Sequence, residues 1–553
     1  MSDPITQSTI VGQVAKASTI NHITVRIWGK TPIEKLQLGA YVTVRGQDYD
    51  YICKVVEVAS REIISGTTDS QVFSREWGES NIRMKGRDLD VKTGRITYEL
   101  TLEPLKALPQ EEGSNPSEPQ TIPPLLSEAR PTTAHDIERL YTDPEKYYVT
   151  IGHLRGMTPG QEVEARVDLD KLQTLHGAVF AKTGSGKTYL ARILAGHVVA
   201  RPNGCALIFD MHGEYGYGNK GLKPIFPEKV KVFSLDPKSE VHRRDHLVRI
   251  PYKDITVNDC LLAVDASDTQ VETLFRLEEL YDDSWLATLM DEGKQDDILE
   301  KTGGKIKEDG SVTPGEVPRR TITSLRRKVR TRVVNLPCME AELTDGGQSS
   351  LQILLDYLLQ AKTVVVNFGN YSNDPIVYAL ITNIIARRLF EIYQSRFRTD
   401  SDVEQLPYVT LLIEEAHKFL NKTHINASFF GQFIREARKF RLSLLIVDQR
   451  PSQIYEDVLS QIGTIFLMRL TNEQDVRSII KQSEEGLSDY EPEIRRLNTQ
   501  EALVAGQASD FVQSVHVLTH DVKSLTAIWT GQAHKAPGQE VLEDLPTPPQ
   551  DGF

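Results

Sequence analysis

From about residue 8 to residue 103, the chain contains short segments in which apolar and polar positions alternate, separated by Gly, Asn or Asp. A period of two is typical of strands with one buried and one solvent-facing side. Examples of such segments are HITVRIWG, AYVTVRG and RITYELTLEP. Several short strands at this spacing predict a small N-terminal β-barrel over residues 1–103.

The composition changes after this segment. Seven prolines lie between positions 104 and 131, with Ser and Gln-Glu-Glu-Gly between them. Such a stretch buries too little apolar area to offset the entropy of ordering it, so an extended linker is predicted over residues 104–146. Residues 531–553 are Pro-rich and acidic and predict a C-terminal tail.

From about residue 147, short and almost wholly apolar runs replace the alternation. The runs are LHGAVFA, GCALIFD, KTVVVNF, YVTLLIE and LSLLIVD. Each is followed by a turn or a helical pattern, as is typical of parallel strands buried on both faces. An α/β core with a mainly parallel sheet is therefore predicted in two parts, residues 147–254 and 346–530. A helix-rich insertion over residues 255–345 separates the two parts.

Charge and composition narrow the class of protein. The chain has 64 Lys and Arg against 77 Asp and Glu, a formal charge of −13, which excludes a uniformly basic nucleic-acid coat. The four cysteines lie far apart without metal-ligand spacing, so neither disulfides nor zinc are expected. The N-terminus lacks a signal-peptide pattern, and no apolar run approaches the ~18–20 residues of a membrane helix. We therefore expect a soluble cytoplasmic protein without membrane contacts.

The segment AKTGSGKT at positions 181–188 lies between an apolar run and a helical pattern. A glycine loop in this position binds phosphate, because N–H groups of the loop and of the helix start face the phosphate oxygens. In this pattern Lys187 neutralises phosphate oxygens and the hydroxyl of Thr188 is a ligand of Mg²⁺. The residues predicted to bind the nucleotide are Thr183, Gly184, Ser185, Gly186, Lys187, Thr188 and Tyr189.

Two carboxylates, Glu414 and Glu415, end the apolar run YVTLLIE-E. This pattern suits the magnesium and water side of the same site. Glu414 is predicted to hold Mg²⁺, and Glu415 to act as general base toward the attacking water. Two acids at a strand end are also common as solvated turn residues. For His417, helix packing and a relay coupled to nucleic acid both remain open.

The run LSLLIVD ends in Asp-Gln-Arg-Pro at positions 448–451. An amide at this place, Gln449, can sense the γ-phosphate and orient water, or it can cap the turn. Just upstream, Arg435, Arg438 and Arg441 lie at the end of a helical pattern. An arginine supplied by a neighbouring subunit can stabilise charge on the γ-phosphoryl group, and we predict this role for Arg438 ahead of Arg435. A solvated helix face is the alternative.

Several classes of P-loop protein are excluded by missing motifs. The chain has no Asn/Thr-Lys-x-Asp motif, which GTPases use to recognise guanine, and no LSGGQ-type signature of ABC ATPases. The Glu-Glu-Ala-His sequence is similar to the helicase DEAH box, but Glu415 follows Lys187 by 228 residues, which is long for that class. The next strand also ends in VDQRP where those helicases have Ser-Ala-Thr.

The chain resembles the HerA hexameric DNA translocases of the HerA/FtsK superfamily over nearly its whole length. The resemblance is carried by the N-terminal strands and, in order, by AKTGSGKT, IFDMHGEY, LLIEEAHKF, REARKF and VDQRPSQI. It implies a RecA-like P-loop ATPase core in a homo-hexameric ring, with ATP and Mg²⁺ as cofactors. It also implies an N-terminal HAS-type barrel, for which we expect contacts with other subunits or a partner, and a helical insertion.

The resemblance further implies a motor that moves double-stranded DNA through the ring. Members of the family work with a partner nuclease in DNA end processing, or with a nuclease or sirtuin-like effector in anti-phage defence. A second hypothesis is an ATP-gated ring scaffold that assembles and activates an effector with little DNA transport. A conjugation-type pump of the same superfamily is a third.

Carried over residue by residue, Lys187 and Thr188 match the Walker A pair and Glu415 the catalytic carboxylate. Gln449 matches the sensor position, and Arg438 matches the basic residue of the family's Glu-Gly-Arg-Lys segment.

The sequence departs from the family pattern at Ala437, in place of Gly, and at Asp448, in place of the Ser of Ser-Gln-Arg-Pro. Asp210, His212 and Glu214 match a family motif near the nucleotide, although a polar loop after a strand also explains them.

The insertion contains the densest positive segment of the chain, with seven basic residues in fourteen positions. They are Arg319, Arg320, Arg326, Arg327, Lys328, Arg330 and Arg332. Phosphate contacts and a solvated helix face are both consistent with such a run.

Overall fold

The computed structural model describes most of the barrel and the core. The described residues are 10–18, 22–27, 37–62, 96–111, 114–158, 160–218, 221–237, 244–302, 319–341, 348–399, 405–418, 420–423, 425, 428–482, 487–518, 526 and 529. The predicted tail over residues 531–553 lies outside them.

Six antiparallel strands form a closed N-terminal barrel. The strands are β1 Gly12–Lys16, β2 Ile23–Ile27, β3 Tyr41–Arg45, β4 Tyr49–Glu62, β5 Ile96–Pro109 and β6 Glu128–Pro131. Their order around the barrel is β1-β2-β5-β4-β3-β6, and β6 pairs with both β1 and β3. Alternate residues such as Val14, Val25, Val44 and Leu100 are fully buried inside it, which confirms the predicted barrel.

The barrel extends past residue 103, so the predicted boundary and the predicted linker are wrong for this segment. Strand β5 continues to Pro109, and β6 closes the barrel from within the Pro-rich stretch. Composition misled the prediction because a four-residue closing strand needs little apolar area, here the buried Ala129. A helix, α1 Ala134–Glu138, then begins in a capping box at Thr133.

A twelve-stranded sheet forms the core. Its strands are β7 Tyr148–Leu154, β8 Glu164–Asp168, β9 His176–Phe180, β10 Gly204–Asp210, β11 Val230–Ser234, β12 His246–Leu247, β15 Thr363–Asn367, β16 Tyr408–Glu414, β17 Leu442–Asp448, β18 Ile462–Met468, β19 Glu501–Gly506 and β20 Gln513–Val517. The strand order is β12-β11-β15-β10-β16-β17-β9-β18-β19-β20-β7-β8. Strands β13 Ile250–Pro251 and β14 Met339–Glu340 pair separately.

The five predicted apolar runs are β9, β10, β15, β16 and β17, and all of them are parallel neighbours. This confirms the mainly parallel α/β core. From β18 onward the pairing becomes antiparallel through β19, β20, β7 and β8.

Helices cover the sheet and form the insertion. Those of the core are α2 Leu169–Thr174, α3 Lys187–Ala200, α9 Ser350–Leu359, α10 Pro375–Thr399, α11 Phe430–Glu436, α12 Glu456–Leu459, α13 Glu473–Gln482 and α14 Glu491–Arg496. Those of the insertion are α4 Val257–Ala263, α5 Asp268–Tyr281, α6 Trp285–Met290, α7 Gln295–Thr302 and α8 Arg319–Val329. None of the helices in the described part combines the length and the apolar character that a membrane crossing requires.

A buried charge cluster joins the barrel to the core. Lys54 of β4 has no exposed side-chain surface, and its ammonium lies 3.2 Å from a carboxylate oxygen of Glu493 in α14. The ammonium also lies 4.7 Å from the ring centre of Tyr490. Burial lowers the pKa of Lys54 to about 8, although Glu493 opposes that shift. Arg155 and the hydroxyl of Ser514 complete the environment of Glu493.

Candidate nucleotide-hydrolysis site

The predicted phosphate loop follows β9 and opens α3. Its backbone is tied to neighbouring elements, because Lys182 N–H donates to the carbonyl of Arg469 at 2.9 Å just past β18. The carbonyl of Ser185 accepts from Gln500 N–H at 3.0 Å, just before β19. The loop therefore sits at the carboxyl edge of the parallel strands, held from two sides.

Two glycines give the loop its shape. Gly184 and Gly186 have φ of +81° and +102°, in the left-handed region that favours glycine. Gly186 is the N-cap of α3 and makes no side-chain capping bond. The first N–H groups of α3 are thus left for a ligand, as in an anion site at a helix N-terminus. A Cβ at Gly186 would lie 3.2 Å from Cε of Met468, so the loop also packs closely on β18.

Lys187 and Glu415 form the central ion pair of the site. Lys187 Nζ donates to Glu415 Oε1 at 2.8 Å, and the side chains are 13% and 10% exposed. Glu415 follows β16 directly, and its N–H donates to the carbonyl of Val447 at 3.0 Å. Its φ of +50° is unusual for a residue other than glycine. Strain of this kind occurs at functional sites, where the surrounding structure holds the residue in place.

Gln449 connects the carboxylate to the phosphate loop. Its Nε2 donates to Glu415 Oε2 at 3.0 Å, and its Oε1 accepts from the hydroxyl of Thr183. The structure therefore brings Thr183, Lys187, Glu415 and Gln449 into one hydrogen-bonded cluster, although they come from three separate parts of the chain.

His417 lies beside this cluster and is held by Asp448. The Nδ1 atom of His417 is 3.0 Å from Asp448, its backbone N–H donates to Asp448 at 2.8 Å, and Nδ1 is 3.6 Å from Glu415. Burial raises the pKa of Asp448, but bonds from His417 and from Arg450 N–H outweigh it, and the net shift is downward. Sequence reasoning treated Asp448 only as a departure from a family pattern and missed this pairing.

Glu414 is almost fully buried and carries an oxygen without a hydrogen bond. Its Oε1 accepts from the hydroxyl of Tyr215 at 3.2 Å, whereas Oε2 has no hydrogen-bond partner in the described structure. Burial, with the nearby Asp210 carboxylate, raises the pKa of Glu414 to about 8, and Lys187 opposes this.

An orphaned carboxylate oxygen next to a second buried acid fits a divalent cation, which would supply the missing positive charge. Glu414 and the hydroxyl of Thr188, at the second residue of α3, are the predicted ligands of Mg²⁺. When bound, Mg²⁺ would neutralise charge on the phosphate oxygens.

Asp210 organises the loop that carries Tyr215. Its carboxylate accepts the N–H groups of Glu214 and Tyr215 at 2.9 and 3.0 Å, and it is fully buried. His212 and Glu214 are exposed. Tyr215 was missed in the sequence because its phenol reaches Glu414 only through this turn. Tyr378 of α10, which donates to the carbonyl of Glu414 at 2.9 Å, gave no signal in the sequence.

Arg438 lies away from this cluster. It precedes β17, whereas Gln449 follows it, and seven residues of strand span about 20 Å. Its guanidinium donates to the carbonyl of Gln461, just before the parallel strand β18. Arg435 also precedes β17 and is exposed. Both arginines therefore occupy the edge of the sheet opposite the chain's own phosphate loop.

His176, the first residue of β9, lies at the same edge of the sheet as Arg438. Its Nε2–H donates to the carbonyl of Ile434 at 2.8 Å, and its Nδ1 accepts from Leu444 N–H at 3.1 Å. Burial and the Arg438 guanidinium lower the pKa of His176 to about 4, although the bond to Ile434 opposes this.

Comparison with known proteins identifies similar chains. The model of the family described as "Helicase HerA, central domain" matches residues 149–389. The "DNA double-strand break repair helicase HerA" of Pyrococcus furiosus is 26% identical over 63% of this chain, and the chain covers 65% of that relative's length. A probable protein of the same description from Methanocaldococcus jannaschii is 26% identical over 70% of this chain and 79% of its own.

A probable helicase of Methanocaldococcus jannaschii aligns over 94% of this chain and 97% of its own length, at 21% identity. Among solved structures, the bacterial conjugative coupling protein TrwB (N70-deleted, unbound) matches with a TM-score of 0.44 and 14% identity. That match covers 70% of this chain and 93% of the solved one.

Proposed function

Because this chain belongs to the HerA family of P-loop ATPases, we propose that it is an ATP- and Mg²⁺-dependent motor that moves double-stranded DNA. The observation that carries the proposal is the cluster in which Lys187, Glu415, Gln449 and Thr183 meet at the carboxyl edge of the sheet. The relatives named as DNA double-strand break repair helicases support duplex DNA as the substrate.

In this proposal each residue of the cluster has one task. The N–H groups at the start of α3 and the Lys187 ammonium bind the β- and γ-phosphates. Glu415 accepts a proton from the attacking water, and Gln449 orients that water while it contacts the phosphate loop. Breaking the Lys187–Glu415 pair when ATP enters frees both side chains for these tasks.

The working form is a ring of six copies. The position of Arg438 supports a ring, because an arginine about 20 Å from its own phosphate loop can serve only the nucleotide of another copy. In a closed ring every copy then gives an arginine to one neighbour and receives one from the other. The partner of this ring is a nuclease or another effector enzyme, with the barrel in contact with other subunits or with that partner.

The test is steady-state ATP hydrolysis by the full chain with and without linear duplex DNA, with Lys187→Ala as the blank. A motor on DNA predicts strong stimulation that weakens as salt is added, because the coupling depends on phosphate contacts. Hydrolysis that is absent in the blank yet indifferent to DNA contradicts the DNA motor and favours the ATP-gated scaffold. Hydrolysis that persists in Lys187→Ala contradicts the site itself.

A further inference from the structure

The basic helix α8 is fixed firmly in the insertion. Its apolar positions, among them Ile322, Leu325 and Val329, are fully buried. The helix continues into a π-helical turn over Arg330–Val334, in which Asn335 N–H donates to the carbonyl of Arg330 at 2.9 Å. Such π-helical turns are rare in proteins, and those that occur are often found at functional sites.

Two of the seven basic residues at positions 319–332 serve the fold. Arg326 is buried and donates to the carbonyls of Leu289 and Asp291 at 2.6 and 3.2 Å. Lys328 donates to the carbonyl of Asp265 at 2.6 Å and to the side chain of Gln270 at 2.9 Å. These bonds set the rotation of α8, so the direction of its outer face is determined by the fold.

Two further arginines have carboxylate partners on the surface. Arg319 is paired with Asp296, and Arg330 lies 3.3 Å from Glu292. The remaining three differ from these. Arg320, Arg327 and Arg332 are exposed, and none of them has an ion pair or side-chain hydrogen bond to the residues that the structure describes.

The outer face has an unusual composition. Every exposed residue between positions 319 and 332 is an arginine or a threonine. The exposed threonines, Thr323 and Thr331, donate back to helix carbonyls, so only guanidinium donors point outward without a partner. These positions expose no apolar or aromatic side chain, whereas the buried centre of a protein interface is enriched in Tyr, Trp, Phe and Met. Arg and Thr are, in contrast, frequent contacts of nucleic-acid phosphates.

The spacing of the unpaired arginines also fits a phosphate backbone. Arg320 and Arg327 are two helical turns apart on one face, which separates them by about 10 Å along the helix. One strand of duplex DNA rises about 3.4 Å per phosphate, so this span covers about three phosphate steps. A guanidinium binds phosphate in a bidentate geometry that lysine cannot reproduce.

We propose that Arg320 and Arg327 on one face of α8, together with Arg332 on the exposed side of the π-helical turn, bind the phosphate backbone of duplex DNA outside the ATPase site; these three residues are called the arginine face. The inference rests on the proposed function, because DNA must reach the insertion. In a chain with a formal charge of −13, a local cationic face is needed to hold a polyanion, and this face supplies it.

The experiment measures the affinity of the full chain for a fluorescent linear duplex at several salt concentrations, with a non-hydrolysable ATP analogue present. Arg320→Gln/Arg327→Gln/Arg332→Gln is expected to lower the slope of log affinity against log salt by about 2.7, at about 0.9 per phosphate contact. Between 50 and 200 mM salt, the wild type should then lose about 40-fold more affinity than the variant. DNA-free ATP hydrolysis should not change.

Two control variants complete the test. Arg319→Gln/Arg330→Gln removes two arginines that already have carboxylate partners, and its slope should stay close to that of the wild type. Replacement of the arginine face by three lysines should keep the slope, because the slope depends on the number of charges at the phosphates and not on bidentate geometry. Unchanged DNA-free ATP hydrolysis in the triple Gln variant excludes misfolding as the cause of its lower slope. A wild-type slope in the triple Gln variant overturns the inference. A protein partner would then be the remaining explanation for the exposed arginines. A wild-type chain that binds no duplex DNA overturns the proposed function as well.

Discussion

Glu415→Gln separates two roles that the structure gives to one carboxylate. In the structure, Glu415 accepts from Lys187 at 2.8 Å and from Gln449 at 3.0 Å. Glutamine keeps the size of the side chain but removes the charge and offers one acceptor oxygen in place of two. Hydrolysis should therefore fall, whereas ATP binding should become tighter, because the phosphates no longer compete with Glu415 for Lys187.

Both magnitudes follow from the contacts. Loss of a positioned general base costs about 10²–10⁴ in rate. A hydrogen bond to a charged group contributes about 1.5–3 kcal/mol, and both side chains of this pair are largely buried, so solvent screens it little. Since about 1.4 kcal/mol corresponds to a tenfold change, the Kd for ATP should fall by roughly tenfold.

The assay combines calorimetric binding of ATP with single-turnover hydrolysis at saturating ATP. Glu300→Gln, an exposed glutamate of the insertion, is the matched control and should behave as the wild type. Lys187→Ala should lose ATP binding. Near-normal turnover in Glu415→Gln would refute its role as general base. Binding as weak as that of Lys187→Ala would refute the competition for the lysine.

Three further predictions follow from the site, its opposite edge and the barrel. Mixed rings of Lys187→Ala and Arg438→Ala chains should recover up to about a quarter of wild-type hydrolysis. In an equal random mixture, about one interface in four combines an intact Lys187 with an intact Arg438 of the neighbouring copy. No rescue in verified mixed rings would contradict the role of Arg438 at the neighbour's site. The free energy of unfolding should fall by up to about 3 kcal/mol as the pH is lowered from 6.5 to 4. In this range His176 is protonated in the unfolded chain but stays neutral in the folded chain, where burial lowers its pKa to about 4. Above pH 6.5 this residue has no effect on the pH dependence of stability. Urea titrations at pH 7 and 5 should show a smaller pH-dependent loss in His176→Gln, and an equal loss in both proteins would contradict this. Lys54→Met should lower stability by about 3 kcal/mol because Glu493 loses a buried partner, and Lys54→Met/Glu493→Gln should recover most of it in thermal unfolding; no recovery would count against the pairing.

Much of the fold was predictable from local patterns. The five apolar runs from β9 to β17 are short, flanked by turns and almost wholly apolar, and each became a parallel strand. Strands β7, β8, β11 and β18 were among those missed, and so was β6. In β6 only a small residue, Ala129, is buried by the barrel, and no apolar pattern marks such a strand. Its partners are distant in sequence, so pairing rather than propensity forms it.

The candidate site divides in the same way. The loop before α3 and the two acids after β16 were recognisable because the phosphate loop is a contiguous motif and strand ends are local features. The residues that contact them in the folded chain were not recognisable in the sequence. Tyr215, Tyr378 and Asp448 reach the acids or His417 through a turn, a helix and a neighbouring strand. Nothing in the surrounding sequence indicates those approaches.

The sequence alone determined the chemistry that is available: a glycine loop with Lys187, two consecutive carboxylates, an amide after the next strand and a basic helix in an acidic chain. Only the tertiary structure decided which groups meet. Parallel pairing puts the carboxyl ends of β9, β16 and β17 at one edge, which joins Lys187, Glu415 and Gln449 there and leaves Arg438 at the other edge. The reason is physical, because side-chain type is written residue by residue, whereas distance between residues far apart in the chain exists only after strands pair and the core is buried.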